Sequence, residues 1–130
     1  MTIQLTDWKI SNLNFSLLPV DSYRAENNFN LQTGNHFHSN SNDDEFIISF
    51  NVKIEDQIFD LVLEAMFTFQ VNEKITEEFK LSDFPKVNAP AIAFPYIRAY
   101  ISNLTLQSGI DPVILPSINF VKLAEDKNTN

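Results

Sequence analysis

Apolar and polar residues alternate through much of the first half of the chain, and a period of two is typical of half-buried β-strands. The alternation is strongest over residues 45–54 and again over 57–71, where Phe, Ile, Leu and Val share one face. Glu55 and Asp56 separate the two runs and predict a tight hairpin turn, although neither is the glycine that a two-residue turn prefers. The two runs therefore predict neighbouring antiparallel strands.

Two further alternating runs precede this hairpin, over residues 3–18 and 26–38. In the first run the alternation slips by one residue between Leu5 and Trp8, which predicts a β-bulge or a bend. The segment 39–44 is rich in turn-forming residues and predicts an exposed hairpin tip. The first half of the chain thus predicts four antiparallel strands.

The pattern changes in the second half, where prolines recur every five residues up to Pro95. Proline breaks a helix interior but is tolerated in its first turn, so the long helix is predicted to begin close to Pro95 and to occupy 97–109. Gly109 stands where a helix C-cap is expected. Residues 72–96 then form a connection, and 110–130 form an extended return with a short last helix.

The composition fits one globular domain over 1–130, because 44% of the residues are hydrophobic and can form a core. Four strands followed by helices predict an α+β fold, a four-stranded antiparallel sheet with helices packed on one face. The net charge of −8 argues against nucleic acid as a direct partner, since phosphates require Lys and Arg. Without a signal-peptide pattern or an apolar run of about 20 residues, we expect a cytoplasmic protein that is not inserted in a membrane.

No residue pattern in the chain predicts catalysis, a metal or a cofactor. Cysteine is absent, and the two glycines cannot form a phosphate-binding loop. His36 and His38 share one face of a strand, but solvated histidines are the commoner interpretation because no third ligand is evident. Asp60 and Glu64 lie four residues apart on a strand, so about 13 Å separates their Cα atoms and they form a charged face rather than a catalytic pair. We therefore expect a protein that is not an enzyme.

The predicted helix carries apolar residues at helical spacing: Ile97, Tyr100, Ile101 and Leu104. Such a stripe is more often core than interface. Apolar side chains on both faces of the sheet raise the alternative, because a single helical layer covers only one of them. Exposed apolar patches usually mark association.

The second half of the chain also resembles the helical half of the SecB family of export chaperones. The resemblance rests on Phe94-Pro95-Tyr96-Ile97-Arg98, on a helix that ends at a glycine, and on a closing Pro-Ser-Ile-Asn-Phe at 116–120. It implies a homotetramer, arranged as a dimer of dimers, that binds unfolded polypeptides in apolar grooves and delivers them to the SecA motor. It also implies that no nucleotide and no metal is used.

By position, the resemblance assigns three groups of residues. Those implied to bind the client are Phe29, Leu31, Phe84, Val87, Ile92, Phe94, Leu115, Ile118 and Phe120. Those implied to form the oligomer interface are Ile97, Tyr100, Ile101 and Leu104. Val62 and Glu64 stand where the family contacts SecA, but Asn12 and Ser16 replace acidic residues there and the last helix is short.

Two functions of different classes remain open from the sequence. The first is a chaperone for unfolded polypeptides, serving either export or one dedicated client such as a labile antitoxin. The second is an adaptor module that keeps the fold, has lost client binding and recognises one folded partner. The two differ in whether a folded sample of the protein binds unfolded chains.

Overall fold

The structure of the protein, a computed structural model, describes residues 1–38 and 43–128; the predicted hairpin tip at 39–44 lies largely outside the described residues. The chain forms two compact units, Met1–Lys74 and Ile75–Asn130. The first unit holds the strands and the second holds the long helix, so the α+β class is confirmed, while a single domain over 1–130 stays a prediction. In chain order the elements are β1 (Ile3–Leu17), β2 (Asn28–Phe37), β3 (Glu45–Glu55), β4 (Phe59–Val71), α1 (Glu77–Lys80), α2 (Ala89–Gln107) and α3 (Phe120–Asn128).

The four strands form one antiparallel sheet in the order β1-β4-β3-β2. The β3–β4 hairpin takes the two central positions, and β1 pairs along the far side of β4, from Ile3 opposite Val71 to Leu17 opposite Phe59. β2 pairs with β3 and forms the other edge. The four predicted strands are confirmed, and their bounds differ from the predicted ones by no more than two residues.

Two bulges, at Thr6 and Ser11, interrupt the pairing of β1 with β4. The hydroxyl of each bulged residue donates to a β4 backbone carbonyl at 3.2 Å. Each bulge restores the apolar residues of β1 to one face of the sheet, which a regular strand of this sequence would not do. The slip between Leu5 and Trp8 predicted the first bulge, whereas the second, just after Ile10, was not predicted.

One face of the sheet is buried and rich in aromatic rings. Trp8 stacks on Phe67 with ring centroids 5.1 Å apart and planes inclined by 2°. Phe50 meets Phe67 edge-on at 5.5 Å, so Phe67 lies at the centre of an aromatic cluster. The buried side chains of the two central strands are Phe46, Ile48, Phe50, Val52, Ile54, Phe59, Leu61, Leu63, Ala65, Phe67, Phe69 and Val71.

The turn between β3 and β4 lies at 56–58, further along the chain than the predicted two-residue turn at Glu55-Asp56. Glu55 still pairs within the sheet, and the backbone N–H of Asp56 donates to the carbonyl of Phe59 at 2.9 Å. The Asp56 carboxylate accepts from the backbone N–H of Ile58 at 3.0 Å. This side-chain bond stabilises a turn that contains no glycine, which is why the turn lies further along the chain than predicted.

The second unit begins with a short capped helix. The Thr76 hydroxyl accepts from the backbone N–H of Phe79 at 3.0 Å and caps α1. A π-helical turn at Phe84–Asn88 then leads directly into α2. The predicted connection over 72–96 therefore contains three helical segments.

The predicted start of the long helix close to Pro95 is wrong, because α2 begins at Ala89 and Pro95 lies inside it. Proline lacks the N–H that would bond to the carbonyl four residues earlier, here that of Ala91. Both Ala91 and Pro95 are exposed, so water can approach this part of the helix and the lost bond is expected to cost little. Pro90 lies in the first turn of α2, where proline is favoured.

The C-terminus of α2 is closed by Gly109, as the sequence predicts. Gly109 has φ +87°, its N–H donates to the carbonyl of Leu106, and the N–H of Ile110 donates to the carbonyl of Thr105. These two bonds define a Schellman motif, which requires a left-handed residue and therefore favours glycine. The motif turns the chain into the extended return that follows.

Thr105 anchors that return from inside α2. Its side chain is fully buried, and its hydroxyl lies 3.0 Å from the carbonyl of Ile101. The same hydroxyl accepts from the backbone N–H of Val113 at 2.9 Å. This hydrogen bond joins the extended return to α2 through the side chain of Thr105.

Replacing Thr105 by valine should lower the free energy of unfolding by about 1–3 kcal/mol, because the shape is kept while the Val113 N–H loses its partner. Ser108→Ala is the matched control, since it removes an exposed hydroxyl at the C-cap of the same helix and should change stability by under about 0.5 kcal/mol. Urea unfolding followed by circular dichroism measures both. Equal losses for the two variants would contradict the anchoring role of Thr105.

Candidate functional site

Two residues implied to bind the client, Phe29 and Leu31, lie on the edge strand β2. Their side chains point to the same face of the sheet as the buried core, opposite Ile54 and Val52 of β3. Ile54 and Val52 are buried, whereas Phe29 and Leu31 are only half-buried. The apolar face of the sheet therefore remains partly accessible along β2.

Four residues of the second unit also keep apolar surface accessible. Ile92 on α2 is 41% exposed, and Phe84, Val87 and Ile118 are half-buried. The ring of Phe84 stacks on that of Phe79 with centroids 5.7 Å apart, which fixes its orientation. These side chains have no fixed polar role and are suited to apolar contact with a ligand that lacks a defined sequence.

The other three residues implied to bind the client are buried. Phe94, Leu115 and Phe120 are each no more than 6% exposed. The rings of Phe94 and Phe120 meet edge-on at 5.8 Å, so each supports the other within the second unit. In the folded chain these residues are core.

The residues implied to form the oligomer interface on α2 also differ in burial. Ile97 and Ile101 are fully buried, and Tyr100 and Leu104 are half-buried. A different face of α2 is exposed, and its residues are Tyr96, Ala99, Asn103 and Leu106, which we call the α2 stripe.

The α2 stripe was not identified from the sequence, although it has the spacing of a helix face. Its alanine and asparagine make it less apolar than the row that begins at Ile97. Arg98 is the only charged residue of α2, and it lies outside the stripe. A helix that is apolar nearly all round is usually buried on more than one side.

The opposite face of the sheet carries the residues implied to contact SecA. Val62 and Glu64 are half-buried on β4, and Glu64 lies opposite Asn12 of β1 and Asn51 of β3. Its carboxylate is thus flanked by neutral amides across the sheet. Asp60, on the same face, is paired with Arg24 at 2.7 Å, which offsets its charge.

A shallow depression of about 420 Å³ lies beside Glu64. Gly34 leaves it open, since a Cβ atom there would approach the Ser49 hydroxyl to 2.8 Å. Its rim includes Gln32, Asn51 and Met66. The depression is lined by hydrogen-bonding groups and one carboxylate, that of Glu64.

The described residues contain no group of three or more His, Asp or Glu side chains arranged to hold a metal ion. His36 instead places its Nε2 atom 2.9 Å from the Ser49 hydroxyl. Within 1–38 and 43–128, no helix is both long enough and apolar enough to span a membrane.

Comparison with solved structures relates this fold to two others. The SecB-like chaperone Rv1957 of Mycobacterium tuberculosis, solved in complex with a ChAD peptide from the HigA1 antitoxin, superposes with a TM-score of 0.67 at 16% identity, covering 89% of each chain. A protein of unknown function from Streptococcus agalactiae superposes with a TM-score of 0.61 at 10% identity, covering 90% of this chain and 98% of that one. At these identities the likeness shows the fold.

Sequence comparison gives two curated relatives. An uncharacterised protein, MJ0357, of Methanocaldococcus jannaschii is 44% identical over 59 residues, which cover 45% of this chain and 37% of that protein. Protein-export protein SecB 1 of Gluconobacter oxydans is 42% identical over 41 residues, covering 32% of this chain and 24% of that protein. The matches therefore span about a third and a quarter of the relatives' lengths.

A family model described as preprotein translocase subunit SecB matches residues 20–130. The match includes β2 to β4 and the whole helical unit, and it agrees with the resemblance seen at Phe94–Arg98 and at 116–120. The chain belongs to the SecB family.

Proposed function

We propose that the protein is a chaperone that binds unfolded polypeptides through its accessible apolar side chains and needs no nucleotide to do so. The observation that carries the proposal is the family match over residues 20–130. The accessible side chains of Phe29, Leu31 and Ile92 support it. Family membership also supports the prediction that the protein is not an enzyme.

The chemistry of these side chains suits a client without a fixed sequence. Burial of apolar area contributes roughly 25 cal/mol per Å² and does not depend on direction, so different clients can bind the same surface. A fixed array of buried polar groups would instead favour one ligand over its analogues. The accessible surface around Phe84, Val87 and Ile118 is apolar and therefore suits clients of different sequence.

The test is calorimetry with a permanently unfolded polypeptide that does not aggregate, with the mass of the protein measured by light scattering in the same buffer. We expect saturable binding that is unchanged when nucleotide is added. If a well-folded sample binds no unfolded chain, the proposal fails. Capture of one folded partner at a 1:1 ratio would then support the adaptor function.

At the residue level, Leu31→Asn should weaken client binding by roughly tenfold, because a half-buried leucine contributes about 1.4 kcal/mol of apolar contact. Val20→Asn is the matched control, since Val20 is 79% exposed on the connection between β1 and β2 and is not among the proposed client contacts. Both variants are first checked for folding by circular dichroism. Unchanged affinity in a folded Leu31→Asn variant would remove β2 from the binding surface.

Phe94→Asp is expected to unfold the protein rather than to report on client binding. An unpaired carboxylate in place of a buried ring costs several kcal/mol. Phe94, Leu115 and Phe120 therefore act in this proposal by supporting the binding surface from within the second unit.

The proposed assembly is a homotetramer in which copies meet through the α2 stripe. Tyr96 and Leu106 are 47% and 55% exposed, and the stripe carries no charge that would oppose close contact between helices. Ile97 and Ile101 stabilise α2 within each protomer, and Tyr100 and Leu104 border the contact.

An export role would require contact with SecA, which we propose for Val62 and Glu64. Glu64→Gln should weaken SecA binding severalfold, and more at low salt than at high salt, because the change removes one charge and keeps the shape. Asp43→Gln is a control that removes one charge elsewhere. If both changes weaken SecA binding equally, the net charge of the protein explains the effect and direct contact at Glu64 does not.

A dedicated client such as an antitoxin is the second candidate. The observation that favours it is the structural likeness to Rv1957, which was solved with an antitoxin peptide. It predicts that one partner co-purifies with the protein and competes with unfolded chains. Either form of the chaperone is expected to act in the cytoplasm.

A further inference from the structure

The two glycines of the chain have different physical reasons. Gly109 has φ +87°, a conformation that favours glycine, and it closes the C-terminus of α2. Gly34 lies inside β2, where the register with β3 runs without a shift and φ is not positive. Its backbone therefore does not require glycine, although a glycine inside a strand costs about 0.5–1 kcal/mol relative to alanine.

The reason for Gly34 is space beside its backbone. A Cβ atom at this position would lie 2.8 Å from the hydroxyl oxygen of Ser49 and 3.4 Å from Nε2 of His36, so it would displace one of these side chains. The depression of about 420 Å³ beside Glu64 includes all three residues in its lining, and we call it the Gly34 depression. A glycine in the interior of a strand often marks a place where a ligand approaches closely.

The charges around the Gly34 depression favour a cationic ligand. Among the described residues that line it, Glu64 supplies the only carboxylate and none is Lys or Arg. Lys9 and Lys53 lie on the same face of the sheet but pair with Asp7 and Glu55. The Glu64 carboxylate takes part in no hydrogen bond or ion pair within the described residues. A charge-assisted hydrogen bond to this half-buried carboxylate is therefore still available.

Neutral oxygen atoms in the same lining narrow the class of cation. Asn51 and Gln32 contribute amide oxygens, and Ser49 contributes a hydroxyl oxygen. A guanidinium group is planar, carries five N–H donors and can bind a carboxylate through two hydrogen bonds. An ammonium group has only three donors and would use fewer of these acceptors. Met66, 42% exposed, adds an apolar side chain for the aliphatic part of a ligand.

We propose that the Gly34 depression binds a free guanidino compound, a small molecule with one guanidinium group on a short aliphatic chain. The guanidinium pairs with the Glu64 carboxylate, and the aliphatic chain lies along Met66. The volume of about 420 Å³ is within the range of roughly 300–1,000 Å³ that is typical of small-molecule sites. This site goes beyond the proposed chaperone function, and Val62, proposed above for SecA, does not line it.

The experiment is calorimetry of the whole protein at low salt with three probes of equal chain length: butylguanidinium, butylammonium and the neutral butylurea. We expect one saturable site for butylguanidinium. Butylammonium should bind severalfold more weakly because it has fewer donors, and butylurea roughly tenfold more weakly because it lacks the charge. The affinity for butylguanidinium should fall as salt is added.

Three variants test where the probe binds, each after its folding is checked by circular dichroism. Glu64→Gln keeps the shape, removes the charge and should weaken butylguanidinium binding roughly tenfold. Gly34→Ala should weaken it severalfold, because the added Cβ displaces Ser49 or His36. Glu45→Gln is the matched control, since Glu45 is an exposed carboxylate on the same face of the sheet and outside the depression. Its affinity should stay within about twofold of the wild type.

The inference is overturned if butylguanidinium does not bind, or if it binds no more tightly than butylurea. Equal losses from Glu64→Gln and Glu45→Gln, or full affinity in a folded Gly34→Ala variant, also overturn it, because net charge would then explain the binding. Binding of an arginine-containing peptide without binding of butylguanidinium would assign the site to a polypeptide instead of a free compound. Binding of an unfolded polypeptide is measured separately, so failure of the chaperone proposal leaves these outcomes unchanged.

Discussion

Replacing Phe67 by alanine is expected to lower the free energy of unfolding by about 3–5 kcal/mol, the usual cost of removing a buried aromatic ring. Phe67 is fully buried, stacks on Trp8 and contacts the edge of Phe50. Few other side chains could move into the space that it leaves, because the rings of Trp8 and Phe50 are held by strands of the same sheet. Since small domains are stable by about 5–15 kcal/mol, the loss is a large share of the total.

The control for Phe67→Ala is Met66→Ala. Met66 is the preceding residue of β4, points to the opposite face of the sheet and is 42% exposed. Its loss should cost under about 1 kcal/mol. Urea unfolding should be followed by circular dichroism at one protein concentration, because Trp8 fluorescence would report the changed contact. A cost at Met66 that equals the cost at Phe67 would show that the buried face does not dominate stability.

Leu106→Asp is expected to convert the proposed tetramer, of about four times 14.9 kDa, into smaller species. In the proposed assembly Leu106 lies where α2 meets its symmetry mates, so each contact would bury an unpaired carboxylate at a cost of several kcal/mol. The protomer should remain folded, since Leu106 is 55% exposed within it. Light scattering measures the mass of the assembly, and circular dichroism measures whether the protomer stays folded.

Leu81→Asp is the matched control for the assembly. It introduces the same charge at another exposed leucine of the second unit, 74% exposed and outside α2. Its mass should equal that of the wild type. An intact tetramer in a folded Leu106→Asp variant would show that the α2 stripe is not the interface.

The strands could be predicted from the sequence because a period of two accounts for β2, β3 and β4, and for each part of β1 between its bulges. Phe46, Ile48 and Phe50 alternate without interruption, so local pattern and tertiary burial agree. The second bulge of β1, just after Ile10, was missed although its spacing equals that of the first. The signal for it is present in the sequence, because the alternating runs Trp8–Ile10 and Leu13–Leu17 on its two sides are out of phase by one residue.

The helical unit was harder to predict, because proline and burial act there against the local pattern. The sequence predicts that Pro95 begins the helix, but Pro95 lies inside α2 on an exposed part of the helix, where a missing backbone hydrogen bond costs less than in the core. Phe94 and Phe120 are the same type of residue as Phe84, which is only half-buried. Tertiary packing alone shows that Phe94 and Phe120 are core. Which face of α2 is exposed likewise depends on packing rather than on its spacing of apolar residues.

The pairing of β1 with β4 also bears on how the protein itself folds. Ile3 pairs with Val71, so β1 leaves the ribosome well before β4 and must wait for nearly seventy further residues before its partner is complete. At about 5–20 residues per second this delay lasts several seconds, during which Trp8 and Phe15 remain in water. The β3–β4 hairpin closes only a short turn and forms early, whereas β1 joins late because its loop is long. A protein proposed to bind unfolded polypeptides is therefore expected to pass through an exposed, aggregation-prone stage of its own.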